Sequence, residues 1–233
     1  MKASPCLNEY LNLTQHGELS DDQKTLVLIC GQLGNFDSIE YAQACVEAFD
    51  QLRNAKIELI LIAIGDSQGA KQFCSYTRFP RKNLYVVDNN QLHDSCGLYA
   101  GVDFGYDPWF HLLFMCAGLG SPGTLKEVFR GYTGDRHAPQ RIQHPLFELA
   151  GGKGFLRPFE LATVRLQNMI EVLSHWGTYV PNRQWICQCG GTYLLDHERN
   201  ILYEYKDKGI LGFSATMDKP LSFLDQYLKD ALH

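Results

Sequence analysis

The sequence predicts a three-layer α/β fold, with a central mixed sheet between helices and a helical insertion of about 80 residues. Three observations predict it. Short apolar runs alternate with helical periodicity through the first hundred residues, which implies a largely parallel arrangement of strands there. Near Gly101 the alternation gives way to helical signals alone. Two closely spaced apolar runs then return in "GGTYLLDHERNILYEYKD" and read as a β-hairpin.

Residues 25–30, "TLVLIC", have the composition of a strand buried on both faces. A helix follows. Asp37 and Glu40 are spaced like a capping box, and Ala42, Cys45, Val46, Phe49 and Leu52 repeat at helical spacing. "KIELILIAIGD", residues 56–66, is a second buried strand, and "SQGAKQFCSYTRF" a helix stopped by Pro80. "NLYVVDNN" is a third strand, and "QLHDSCGLYAG" a short helix ended by Gly101. Pro122 opens a helix in "SPGTLKEVFRG". The longest helical signal is "RPFELATVRLQNMIEVLSHWG", where Leu166, Met169, Ile170 and Leu173 make one apolar stripe and Gly177 is a natural stop. The last segment, "PLSFLDQYLKDALH", reads as an amphipathic helix with Leu221, Leu224, Tyr227, Leu228 and Leu232 on its apolar side. The chain therefore divides into an N-terminal extension (1–24), one domain built from 25–100 and 181–233, and the insertion (101–180) within that domain.

At 233 residues, 45% hydrophobic and 20% charged, the chain is large enough for one such domain. A net charge of −5 gives no global reason to expect nucleic acid. No run of 18 apolar residues is present, so no membrane span is expected. The polar N-terminus lacks a signal-peptide apolar region, which makes a cytoplasmic location the default expectation. In that setting the sequon Asn12-Leu13-Thr14 is a chance match. Eight irregularly spaced cysteines do not form a disulfide framework; Cys45, Cys74 and Cys116 read as small core residues. Cys187 and Cys189 alone form a tight pair, and no second cluster completes a zinc site, so no metal and no cofactor are expected.

Several stretches resemble a known family. "GNFDSIEYA" is similar to the nucleophile loop of the peroxiredoxin-like branch of the alkyl hydroperoxide reductase/thiol-specific antioxidant superfamily, which reads Gly-Cys-x-x-Cys before a helix with acidic residues and Ala. "NLYVVDNNQLHDSCGLY" resembles that family's strand and short helix, and "GGTYLLDHERNILYEYKDKG" its last hairpin. The resemblance spans about 25–100 and 185–230 and implies a thioredoxin-like fold with thiol-dependent antioxidant chemistry. It also places Asn35 and Ser38 where the two loop cysteines belong. Peroxide reduction needs a thiolate that cycles through a sulfenic acid, which neither an amide nor an unactivated hydroxyl supplies. Conventional peroxidase activity at this loop is therefore expected to be absent.

Three groups of candidate residues follow. Gly34, Asn35, Asp37 and Ser38 form the loop at the nucleophile position, either as helix caps or as a small polar site. Cys187 and Cys189, with Cys30 at the end of the first strand, could form a relocated redox centre or simply pack. Arg130, Arg136, His137 and Arg141, with His144, form a basic loop able to bind an anion or an acidic partner, or merely to face solvent. His111 and His175 read as core or interface residues, and Trp109 and Phe110 as a cover for the sheet edge or a dimer patch. Two functions stay open. One is a protein without peroxidase activity that binds a protein partner, or a second copy of itself, through 101–180. The other is a thiol-disulfide oxidoreductase using Cys187 and Cys189.

Overall fold

Five strands form one mixed sheet, in the order β3-β2-β1-β4-β5, in the computed structural model of the chain, which describes residues 2–14, 22–101, 126, 129–130, 157–209, 212–217 and 219–229. The strands are β1 (Lys24–Gln32), β2 (Ile57–Ile64), β3 (Leu84–Val87), β4 (Gly191–Leu195) and β5 (Ile201–Lys206). β1, β2 and β3 run parallel, whereas β4 lies antiparallel to both β1 and β5. Three strands that alternate with helices and a separate hairpin thus meet in one sheet. The helices are α1 (Pro5–Thr14), α2 (Phe36–Glu47), α3 (Phe49–Asn54), α4 (Ser67–Thr77), α5 (Gln91–Ser95), α6 (Arg157–Ser174), α7 (Trp176–Tyr179) and α8 (Asp225–Lys229).

The period of a strand sorts the core into two layers. On one face, Leu26, Leu28 and Cys30 of β1 and Leu59, Leu61 and Ala63 of β2 pack with Ile39 and Cys45 of α2, Phe73 of α4, Val172 of α6 and Tyr179 of α7. On the other, Val27, Ile29, Ile60 and Ile62 pack with Leu7 and Leu11 of α1, Leu92 of α5 and Tyr193 of β4. Both faces are covered, which is why the central strands read as continuous apolar runs. The N-terminal extension is more than a polar leader to β1. Leu7 and Leu11, one helical turn apart, are fully buried against the sheet, and Ala3 N–H reaches Arg199 O at 3.1 Å.

The helix expected through Leu52 is two helices. Ala48 leaves helical geometry (φ −94°, ψ 1°) and separates α2 from α3, while Ala42, Cys45 and Leu52 keep their buried positions. The helix ahead of Gly101 ends sooner, at Ser95, because Gly97 adopts φ +63°. The C-terminal amphipathic segment is a short 3₁₀ turn, Ser222–Leu224, followed by α8. Leu221, Leu224, Tyr227 and Leu228 pack on the core, and Leu232 lies outside the described residues.

α6 is the main departure. Its apolar stripe turns outward: Leu166, Ile170 and Leu173 are 54%, 55% and 43% exposed, and only Met169 is partly covered. The inward face carries Val164 and Val172 together with the polar Asn168, 2% exposed. Asn168 and Gln43 exchange side-chain amide hydrogen bonds of 3.0 and 3.1 Å, and Tyr76 donates to Asn168 Oδ1 at 2.8 Å. One turn on, Glu171 accepts from Gln72 at 2.7 Å and from Tyr179 at 3.0 Å. The helix is thus clasped by amides, a hydroxyl pair and a carboxylate, which frees its hydrocarbon stripe. It ends at Ser174, three residues before Gly177, and the following His175 is exposed at 45% rather than buried. Asn168→Ala should cost about 2 kcal/mol, since it leaves the half-buried Gln43 and Tyr76 groups without this partner. A urea titration that gives the wild-type midpoint would exclude the clasp.

Candidate functional site

The loop at the end of β1 is tightly specified. The β1–β2 register shifts between Ile29 and Gln32, and the chain turns through Asn35 N–H to Gln32 O at 3.0 Å into α2. Gly31 is required there: a Cβ would sit 2.1 Å from Gln188 O and 2.4 Å from Asn35 Nδ2. Gly34 packs against Tyr179 and Val180.

Asn35 precedes the first turn of α2, but its side chain makes no capping bond. It is 7% exposed, and its amide donates instead to Gln188 O at 3.4 Å, joining the β1–α2 loop to the segment before β4. The first-turn N–H of Ser38 is taken by Asp37 Oδ1 at 2.8 Å. Ser38 is 3% exposed, with its side chain in hydrogen-bonding range of Cys30. Nor does Glu40 complete a capping box. Its carboxylate is shared by two guanidinium groups, Arg130 on Oε1 at 2.8 Å and Arg165 on Oε2. All three side chains are about nine-tenths buried. Two buried cations outcompete a backbone N–H for that carboxylate.

Cys30 lies beneath this loop, buried, and its carbonyl accepts a 2.7 Å hydrogen bond at His93 Nε2. A carbonyl only accepts, so the proton is on Nε2. Burial lowers the His93 pKa and keeps the ring neutral, leaving Nδ1 as a buried acceptor without a partner among the described residues. Facing it across the sheet end is the segment "CQCGG". Gln188 Nε2 donates to Tyr99 O at 3.0 Å and Cys189 O at 3.1 Å, and Gln188 Oε1 accepts from Asn90 at 3.2 Å. Cys189 is buried and its thiol donates to Gly209 O at 3.3 Å and Cys187 O at 3.7 Å. Cys187 is half-buried, and neither sulfur is in a disulfide. Gly190 N–H donates to Asp207 Oδ2 at 3.1 Å, whereas the other oxygen of this 5%-exposed carboxyl has no partner among the described residues.

The electrostatics run against thiolates. Burial pushes the thiols of Cys30 and Cys189 well up, and the nearby carboxyls of Asp37 and Asp207 push them further. Burial likewise raises Asp37 to about 6, where the Ser38 N–H bond opposes it, Glu40 adds to it and Arg165 offsets it. Asp207 is raised well above the ordinary carboxylate range by burial and then by Asp37. The structure therefore brings Asn35, Asp37, Ser38, Cys30 and Cys189 to one sheet end. Arg130 is turned inward onto Glu40. Arg136, His137, Arg141, His144, His111, Trp109, Phe110, Pro122 and Cys116 lie outside the described residues.

Sequence reasoning did not single out Asp207, His93, Gln188 or Arg165. Asp207 follows an edge strand in "YKDKG", a context that reads as solvent-facing, and only its proximity to Gly190 reveals it. Among the described residues no group of three or more His, Cys, Asp or Glu is arranged to hold a metal, and no helix is long and apolar enough to cross a membrane.

A model of the AhpC/TSA antioxidant enzyme family matches residues 46–209. The match runs through the middle segment that the motif resemblance left uncovered, and begins after the β1–α2 loop. Comparison with curated proteins and with solved structures found no match.

Proposed function

We propose, on the premise that this chain belongs to the AhpC/TSA antioxidant enzyme family, that it uses the family's framework without a peroxidatic thiol and acts by binding a protein through residues 101–180. One observation carries the first half. At the helix start where a thiolate would need backbone N–H groups, the Ser38 N–H is held by the chain's own Asp37 carboxylate. Asn35 and Ser38 are buried there and cannot cycle through a sulfenic acid. The alternative centre at Cys187 and Cys189 is disfavoured by the same physics, because Cys189 is a buried thiol donating its proton to two carbonyls.

The second half is supported by α6, which presents Leu166, Ile170 and Leu173 beside the uncharged, exposed Gln167 and Ser174. A partner with an apolar face can cover that stripe without burying a charge. Two measurements test the reading. Hydrogen peroxide supplied with a dithiol reductant should be consumed at the protein-free rate; turnover lost in Cys187→Ser or Cys189→Ser would restore the oxidoreductase reading. A photo-cross-linking residue at position 170 should form a protein adduct that Leu166→Glu prevents, with the melting temperature unchanged. Absence of any adduct would retire the surface.

A further inference from the structure

Two cysteines far apart in sequence, and used by neither reading above, belong to one layer on the opposite face of the sheet, Cys96 within it and Cys6 packed against it. Ser4, just ahead of α1, accepts the Leu7 N–H at 3.2 Å through its hydroxyl and lies 3.6 Å from Cys96 Sγ. Cys6 is two residues beyond Ser4, in the first turn of α1. By helix geometry its Cα is then about 5–6 Å from that of Ser4. Cys96 closes α5, is 7% exposed, and belongs to the layer that also holds Leu7, Leu11 and Leu92. Cys6 packs against this same layer while remaining partly accessible. Its thiol is near enough to contribute to the raised pKa of Cys96, of which burial is the main cause.

From this geometry we propose that Cys6 and Cys96 are a modification site: a dithiol that a small disulfide, such as oxidised glutathione, converts into an α1–α5 cross-link. The half-buried Cys6 reacts first. Its thiolate attacks one sulfur of the small disulfide, forming a mixed disulfide and expelling one thiolate. Cys96, a slow nucleophile because burial raises its pKa, then attacks the tethered Cys6 sulfur, the protein disulfide forms, and the second small thiolate leaves. The two cysteine protons end on the two released thiols, and the protein loses two electrons to the reagent. The bond would close the chain from residue 6 to 96 and pin the N-terminal helix over the sheet.

The test uses the full-length reduced protein and oxidised glutathione, followed by acid quench, alkylation and peptide mapping. The expected product is a linked Cys6–Cys96 peptide, with Cys30, Cys45 and Cys189 alkylated. Cys96→Ser should instead hold one glutathione on Cys6. Oxidation should raise the wild-type melting temperature by roughly 5 °C, and the rise should vanish in Cys6→Ser, whose partly accessible position tolerates the change. A wild-type protein that keeps glutathione on Cys6, or that pairs either cysteine elsewhere, overturns the proposal. Because the linked peptide is sought in the wild type, misfolding of the Cys96→Ser variant leaves that result intact.

Discussion

Glu40→Ala should destabilise the protein by about 3–5 kcal/mol, the range for removing one partner from a buried ionic cluster. Glu40 accepts Arg130 on one oxygen and Arg165 on the other, and each of the three side chains is only about a tenth exposed. Without the carboxylate, two guanidinium charges face each other in a low-dielectric setting, a cost that the relief of Glu40's repulsion on Asp37 offsets only in part. Glu40→Gln keeps the shape and two polar atoms but not the charge, so its loss should be about half as large. Urea titrations of both variants provide the check. A Glu40→Ala midpoint within error of the wild type would mean that the arginines are held by other contacts.

Asp37→Asn should act in the opposite direction. A carboxyl whose pKa is higher in the folded than in the unfolded chain binds its proton more tightly when folded. With Asp37 raised from 3.8 to about 6, stability rises as pH falls from 6 towards 3.8, and at neutral pH the ionised carboxylate costs up to ~3 kcal/mol. Asp207 is raised too, and its burial works with the same sign. Asparagine still offers an oxygen to the Ser38 N–H and carries no charge. The variant should therefore melt roughly 5 °C above wild type at pH 7, with the gap closing near pH 4. An Asp37→Asn protein that melts below wild type at pH 7 would show that attraction to Arg165 outweighs burial, with the carboxylate held as an ion pair.

How legible each part was depends on how local its cause is. β1 and β2 stand out because both their faces are buried, so nearly every position is apolar. The hairpin is equally local, its turn closed by Asp196 and Asn200. In α6 the helical period was readable but the buried face was not. Apolar residues normally mark the inside, and here Asn168 and Glu171 take it, through partners up to 125 residues away. Glu40 fails as a capping box for the same reason: Arg130 and Arg165 are 90 and 125 residues distant and leave no trace in the local spacing. The β1–α2 loop was readable from its glycines and its helix start. The buried acid beneath it was not, because Asp207 and Gly190 become neighbours only when β5 pairs with β4.

The polar clasp of α6 also has a calorimetric consequence. Heat capacity changes on exposure mainly through hydrocarbon, and amide or carboxylate surface lowers it. Among the described side chains, detaching the Val164–Ser174 part of α6 uncovers Asn168, Gln43, Gln72 and Glu171, while the helix itself contributes Val164, Val172 and part of Met169 as covered hydrocarbon. Its opening enthalpy should thus vary little with temperature, and amide hydrogen exchange along Val164–Ser174 should give a nearly straight van't Hoff line. Exchange in β1 and β2, released only when both apolar layers are exposed, should curve. Plotted against temperature, the two sets of amides would separate a segment held by directional bonds from a core held by water's avoidance of hydrocarbon.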